Sequence, residues 1–103
     1  KFFDLLSEEV SWIRTGPRLT AWMVKSPCDC AYGYGGFSVK AAPFPKWMNE
    51  VMKKCMPLCG LEDESQWPNC CNLNYYENEN GSVGWHADDE PLFQGKYQDC
   101  LII

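Results

Sequence analysis

The chain is short of histidine and of positive charge. His86 is the only histidine among 103 residues. A site that needs two imidazoles therefore cannot be assembled from this sequence alone. Nine lysines and arginines stand against fourteen acids, a net charge of −5. Dedicated nucleic-acid binders are usually basic, so the overall charge gives no support to such a partner and leaves only a local basic patch as a route to one. No stretch of about 18 apolar residues occurs, so no membrane-spanning helix is expected. No basic segment followed by an apolar one marks a signal peptide. The eight glycines form neither a GxxxxGK[ST] loop nor a G-x-G-x-x-G turn, which excludes the usual phosphate cradles. There is no internal repeat and no low-complexity run.

Cysteine is plentiful but poorly arranged for crosslinking. The seven are Cys28, Cys30, Cys55, Cys59, Cys70, Cys71 and Cys100. An odd count, and a Cys70-Cys71 pair in a strand pattern where neighbours face opposite ways, do not suit a disulfide framework. Cys28-x-Cys30 with Cys55-x3-Cys59 departs from the paired C-x2-C of structural zinc sites. Reduced thiols in an intracellular compartment are expected, with zinc and secreted disulfides as the alternatives.

Local patterns give the elements. Residues 2–11 read as a helix with Phe3, Leu6 and Val10 on one face. Gly16-Pro17 is a turn, and Arg18 to Lys25 reads as a strand. Residues 28–39, with Tyr32-Gly33-Tyr34-Gly35-Gly36-Phe37, read as a glycine-rich aromatic loop. A helix is predicted from Lys46 to Met56, with Trp47, Met48, Val51, Met52 and Cys55 as its apolar stripe, ended by Pro57 and Gly60. Cys70 to Tyr76 reads as a strand, the segment from Asn78 to Ser82 as an asparagine-glycine turn, and Val83 to His86 as a second short extended piece. Pro91 to Gln98 reads as a loop and Asp99 to Ile103 as the start of another strand. Lys1 is not an initiator methionine, and Ile103 stops inside that strand pattern. Residues 1–103 are therefore expected to be a single partial domain.

Chemistry concentrates after Cys70. His86 and Asp88 are two residues apart, so on extended backbone they point to one side and can converge on one ion. An imidazole and a carboxylate are two-thirds of the facial triad of non-haem Fe(II) oxygenases. Trp85 is an aromatic that could exclude water beside them. Asp88, Asp89 and Glu90 repel one another unless a cation or solvent relieves them; the alternative is a solvated acidic turn. Asn74 and Tyr76 share a strand face, either as hydrogen-bond donors to a carboxylate or as ordinary core-edge residues. Aromatics at Tyr32 and Tyr34 could stack on bases or pack in the core. Arg18 could meet a phosphate or be a solvated charge.

These residues together carry a resemblance. Asn74-x-Tyr76, nine further residues, and His86-x-Asp88-Asp89-Glu90 resemble the AlkB family of Fe(II)/2-oxoglutarate-dependent dioxygenases. Pro17-Arg18-Leu19-Thr20-Ala21-Trp22 is similar to the Pro-Arg strand of the eukaryotic members. The segment around Tyr32 and Tyr34 resembles their nucleotide-recognition lid. Met23-Val24 stands where that strand usually shows Tyr-Gly. The resemblance implies an α+β fold, an incomplete double-stranded β-helix (jelly roll) with N-terminal and central helices packed on one sheet. It implies His86 and Asp88 as metal ligands and catalytic residues, and Asn74 and Tyr76 as 2-oxoglutarate contacts. Arg18, Tyr32, Tyr34, Asp89 and Glu90 would touch substrate. Fe(II) and 2-oxoglutarate would serve oxidative demethylation of N-alkylated nucleobases in DNA or RNA, with succinate, CO2 and formaldehyde as products. The family's second ligating histidine and its arginines lie downstream of anything in this chain, so the 103 residues alone are expected to be inactive. A non-catalytic AlkB-like module that binds nucleic acid or protein is the alternative. A monomer in the nucleus or cytoplasm is expected.

Overall fold

The computed structural model describes residues 1–34, 36–89 and 92, with Tyr34 and Phe37 as backbone only. It is a mixed α+β fold. In chain order it runs α1 (Phe2–Glu9), β1 (Ile13–Thr15), β2 (Arg18–Val24), β3 (Tyr32–Tyr34), β4 (Phe37–Val39), β5 (Ala42–Pro43), α2 (Lys46–Cys55) and β6 (Cys70–Tyr75). The chain divides into two compact units. One comprises Lys1–Ala21 with Asn72–Ala87; the other comprises Trp22–Cys71 with the described residues from Asp88 onward.

In the first unit, β1 and the start of β2 form an antiparallel hairpin with Ile13 opposite Thr20 and Thr15 opposite Arg18. Gly16 turns it at φ 72, a left-handed value that glycine adopts without a side-chain clash. β6 pairs with β2, and the Thr20 hydroxyl meets β6 at Asn72, Leu73 and Asn74. Tyr75 on β6 lies beside the rings of Trp12 and Phe3, at 5.6 and 6.3 Å between centroids. Trp12 also donates its indole N–H to the Leu6 carbonyl at 3.2 Å, which satisfies an end of α1. Of the predicted apolar face of α1, Val10 is buried and Leu6 half-buried, while Phe3 is exposed although its ring lies near Tyr75; Phe2 and Leu5 are half-buried as well.

In the second unit, the end of β2 pairs in parallel with β5, Met23 opposite Ala42. Phe44 extends that pairing by donating to the Val24 carbonyl at 2.9 Å. The segment expected to be a loop is instead a β-hairpin: β3 and β4 are antiparallel, with Tyr32 opposite Val39 and Gly33 opposite Ser38. Its turn carries Gly36 at φ 83. One core cluster gathers Trp22, Val24, Cys28, Tyr32, Val39, Cys70 and Leu92. α2 buries Trp47, Met48 and Met52, as its spacing predicts, but Cys55 is exposed. The helix then ends as a Schellman motif. Leu61 N–H bonds the Met56 carbonyl and Gly60 N–H bonds the Pro57 carbonyl, each at 3.0 Å, with Gly60 left-handed at φ 77.

β2 is more buried than a half-exposed strand. All of its residues except Leu19 are buried, the burial of a strand covered on both faces. The predicted extended piece from Val83 to His86 forms no strand. Pro91, residues 93–98 and the strand expected from Asp99 lie outside the described residues.

Candidate metal and co-substrate site

β6 delivers the first half of the site. Asn74 is exposed near its end, and Tyr76 is half-buried one residue beyond it. Thr20 Oγ lies 3.1 Å from Asn74 Oδ1, 3.0 Å from the Leu73 carbonyl and 3.3 Å from Asn72 Oδ1. A hydroxyl has one proton to donate, so these three acceptors share it. With Oδ1 turned to Thr20, the Asn74 amide presents its NH2 donors outward, the polarity a carboxylate ligand needs. Tyr76 is held from the other side by the turn that follows. A Cβ built on Gly81 would lie 3.2 Å from Tyr76 Cδ1 and 3.3 Å from its Cβ. A side chain here would require Tyr76 to give by a few tenths of an ångström.

That turn is built by Asn78. Its side-chain oxygen accepts from Asn80 N–H at 3.0 Å, and its carbonyl accepts from Gly81 N–H at 3.1 Å. This is the local bonding that makes asparagine a turn former. Arg14 and Glu77 form an exposed ion pair just before it, worth little by itself in water.

Beyond Gly81 the chain is exposed through Asp89. His86 Nδ1 lies 2.8 Å from the Gly84 carbonyl. A carbonyl contact at Nδ1 is of the kind that orients the ring of metal-ligating histidines. Trp85 is fully exposed, at 107% of its reference area. It shields nothing, contrary to the water-excluding role expected of it, because no described element covers the segment it stands on. In the second unit, Asp88 and Asp89 are also exposed; Glu90 lies outside the described residues. Among the described residues, no three His, Cys, Asp or Glu side chains form a metal-binding group. An imidazole nitrogen and a carboxylate oxygen are each donor types that suit Fe(II).

The other candidates are placed differently from a substrate surface. Arg18 is buried, opposite Thr15 in the β1–β2 hairpin, not a solvated charge. Tyr32 is 4% exposed and stacks on Trp22, with 5.2 Å between centroids and 25° between planes. Its ring face is thus taken by another ring. Tyr34 belongs to β3 by its backbone; its side chain lies outside the described part. The six described cysteines form no disulfide with one another. Cys28 is in the core while Cys55 and Cys59 are exposed, so no thiolate cluster joins them. Sequence reasoning missed Thr20 and Gly81 as supports. The apolar neighbours of Thr20 on β2 and the turn signature at Asn80-Gly81 were the available signals.

Comparison with known proteins concerns the chain as a whole. The chain is 34% identical over 86% of its length to alpha-ketoglutarate-dependent dioxygenase alkB homolog 3 of Bos taurus. It is 34% identical over 85% to the protein of that name from Homo sapiens, and 35% over 73% to the one from Mus musculus. It spans about a third of the length of the bovine and human proteins, 32% in each case. No protein-family model matches it. The chain is AlkB-like in sequence across most of its length.

Proposed function

We propose that this AlkB-like chain carries part of the site of an Fe(II)/2-oxoglutarate-dependent dioxygenase that removes alkyl groups from nucleobases of DNA or RNA. The observation that carries the reading is the Asn74-x-Tyr76 and His86-x-Asp88 pattern within a sequence similar to dioxygenases of that printed name. The complete fold in this reading is a double-stranded β-helix of which residues 1–103 form a part. The protein acts as a monomer in the nucleus or cytoplasm, where free thiols such as those described here persist.

Roles follow from the chemistry of each group. His86 Nε2 and the Asp88 carboxylate hold the metal. The bond from His86 to Gly84 fixes the ring for that task. Asn74 and Tyr76 donate hydrogen bonds to the 2-oxoglutarate carboxylate, with Thr20 orienting the amide and Gly81 seating the phenol. Bound iron and 2-oxoglutarate together would supply the oxidising power for hydroxylating an N-alkyl carbon. Asp89 and Glu90 face the base, which must leave its stack to be reached, while Tyr34 serves the nucleotide; Arg18 and Tyr32, being buried, contribute through the strands they pack rather than by touching substrate. With two protein ligands, the 103 residues alone bind metal weakly and do not turn over. The second reading is a non-catalytic AlkB-like module that binds nucleic acid or protein.

Calorimetry with 2-oxoglutarate in the presence of Mn(II) separates the two. Asn74→Ala and Tyr76→Phe should each weaken binding by roughly tenfold, the worth of one hydrogen bond to a charged group. Equal affinity in wild type and both variants would contradict the assignment and leave the non-catalytic module standing.

A further inference from the structure

Sulfur side chains gather along α2 and the turn that follows it. Three of the chain's four methionines, Met48, Met52 and Met56, stand there with Cys55 and Cys59. Their spacing, i, i+4, i+7, i+8 and i+11, is that of one stripe on a helix. The backbone carries the stripe past the end of α2. Met56 N–H bonds the Met52 carbonyl at 2.8 Å, and Cys59 N–H bonds the Met56 carbonyl at 3.0 Å. Pro57–Cys59 is a 3-10 turn, a geometry in which positions three apart eclipse. Cys59 is thereby brought into line with Met56, one turn beyond it, and Cys55 is the chain neighbour of Met56.

The stripe leaves the core as it runs. Met48 and Met52 are buried, Met56 is half-buried, and Cys55 and Cys59 are exposed. Packing accounts for the first two. It does not account for the two thiols, because cysteine is among the residue types most often buried. Crosslinking does not account for them either. Side chains four apart on a helix hold their Cβ atoms about 5–6 Å apart, against about 3.5–4.5 Å in a disulfide. Two thiols at the wider separation can instead meet on one ion between them. Cys28 lies in the core cluster and takes no part.

We propose that Cys55, Met56 and Cys59 form a binding site for Cu(I). Thiolate and thioether sulfurs are soft ligands that select this ion, whereas structural zinc takes four nitrogen, sulfur or oxygen ligands. Among the described residues no third His, Cys, Asp or Glu joins the two thiols; the thioether of Met56 is the added ligand. Each thiol that ligates releases its proton to solvent, and neither the ion nor the sulfur changes oxidation state. The site uses neither His86 nor Asp88 and does not rest on the dioxygenase reading.

Anaerobic titration of the reduced 103-residue chain with Cu(I), in competition with a chromophoric Cu(I) chelator, tests it. Cys55→Ser and Cys59→Ser should each weaken binding by more than about tenfold, the least that losing even a partner outside the ligand shell costs. Met56→Leu should weaken it severalfold. Both cysteines are exposed, so the variants keep the fold. Leu58 is 87% exposed on the same turn and offers no sulfur, so Leu58→Ala should bind as wild type. X-ray absorption at the copper edge should show sulfur alone around the ion. Wild-type affinity in the Cys55→Ser/Cys59→Ser double variant, an equal loss in Leu58→Ala, or nitrogen or oxygen ligands on the copper would overturn the proposal.

Discussion

Trp22 and Trp85 stand at opposite limits of the same chain. Trp22 is almost fully buried, stacked and hydrogen-bonded. Trp85 is fully exposed beside the candidate metal ligand. The core around Trp22 is specified by many mutually dependent contacts. The segment around Trp85 is specified by residue types and spacing, with few contacts to hold it. Packing fixes the scaffold around Trp22, whereas the candidate ligand His86 stands on an exposed stretch with a short-range contact to the Gly84 carbonyl.

Substitution at the two tryptophans breaks the contrast most directly. Trp22→Ala should cost about 3–5 kcal/mol, the usual range for emptying a buried aromatic position. Trp85→Ala should change stability by less than about 0.5 kcal/mol, as exposed substitutions do. Denaturant unfolding of both variants checks this, and equal effects would mean that Trp85 is covered in solution.

Gly81→Ala probes the close approach of the turn to Tyr76. The added methyl needs the Tyr76 side chain to give by a few tenths of an ångström, and where it cannot, overpacking costs about 1–3 kcal/mol. 2-Oxoglutarate affinity should fall along with stability. A fall in stability alone would detach Gly81 from the co-substrate site.

The thiols divide along the same line. Burial pushes the Cys71 thiol above its ordinary range, so it stays protonated and slow at neutral pH. Cys55 and Cys59 are exposed. Alkylation followed by mass mapping should label Cys55 and Cys59 well before Cys71. The raised value also has a sign for stability. The contribution is present below the ordinary thiol range and is lost as pH rises through the raised value.

The smallest effect is at Asp63. Its carboxylate accepts from Ser65 N–H at 2.9 Å and from Ser65 Oγ–H at 2.8 Å. The backbone bond, then the side-chain bond, hold its acidity below the usual carboxylate range. A lowered value in the folded chain stabilises above the ordinary carboxylate range, and that contribution is lost as pH falls through the lowered value. Asp63→Ala should slightly reduce the unfolding midpoint at neutral pH and leave it unchanged in strong acid.

The sequence was most legible where local chemistry decides the structure. α2 and its glycine-proline ending, the strand from Arg18 and the Asn78 turn all lie close to where their residues place them. The β3–β4 hairpin was hidden because glycine is depleted in strands, and only burial of Tyr32 and Val39 against the Trp22 cluster reveals it. Val83 to His86 failed for the reverse reason: an extended pattern makes no strand without a pairing partner. In the site, the spacing of His86 and Asp88 was visible at once. The hold of Thr20 on Asn74, across 54 positions, was not, since no local pattern encodes a contact that the fold alone creates.

The central claim is that His86 and Asp88 are ligands of one metal ion. Mn(II) titration of the 103-residue chain with 2-oxoglutarate, followed by electron paramagnetic resonance, tests it most directly. The account predicts weak, saturable binding that disappears in both His86→Ala and Asp88→Ala while the fold persists. Binding retained unchanged in either variant would contradict it.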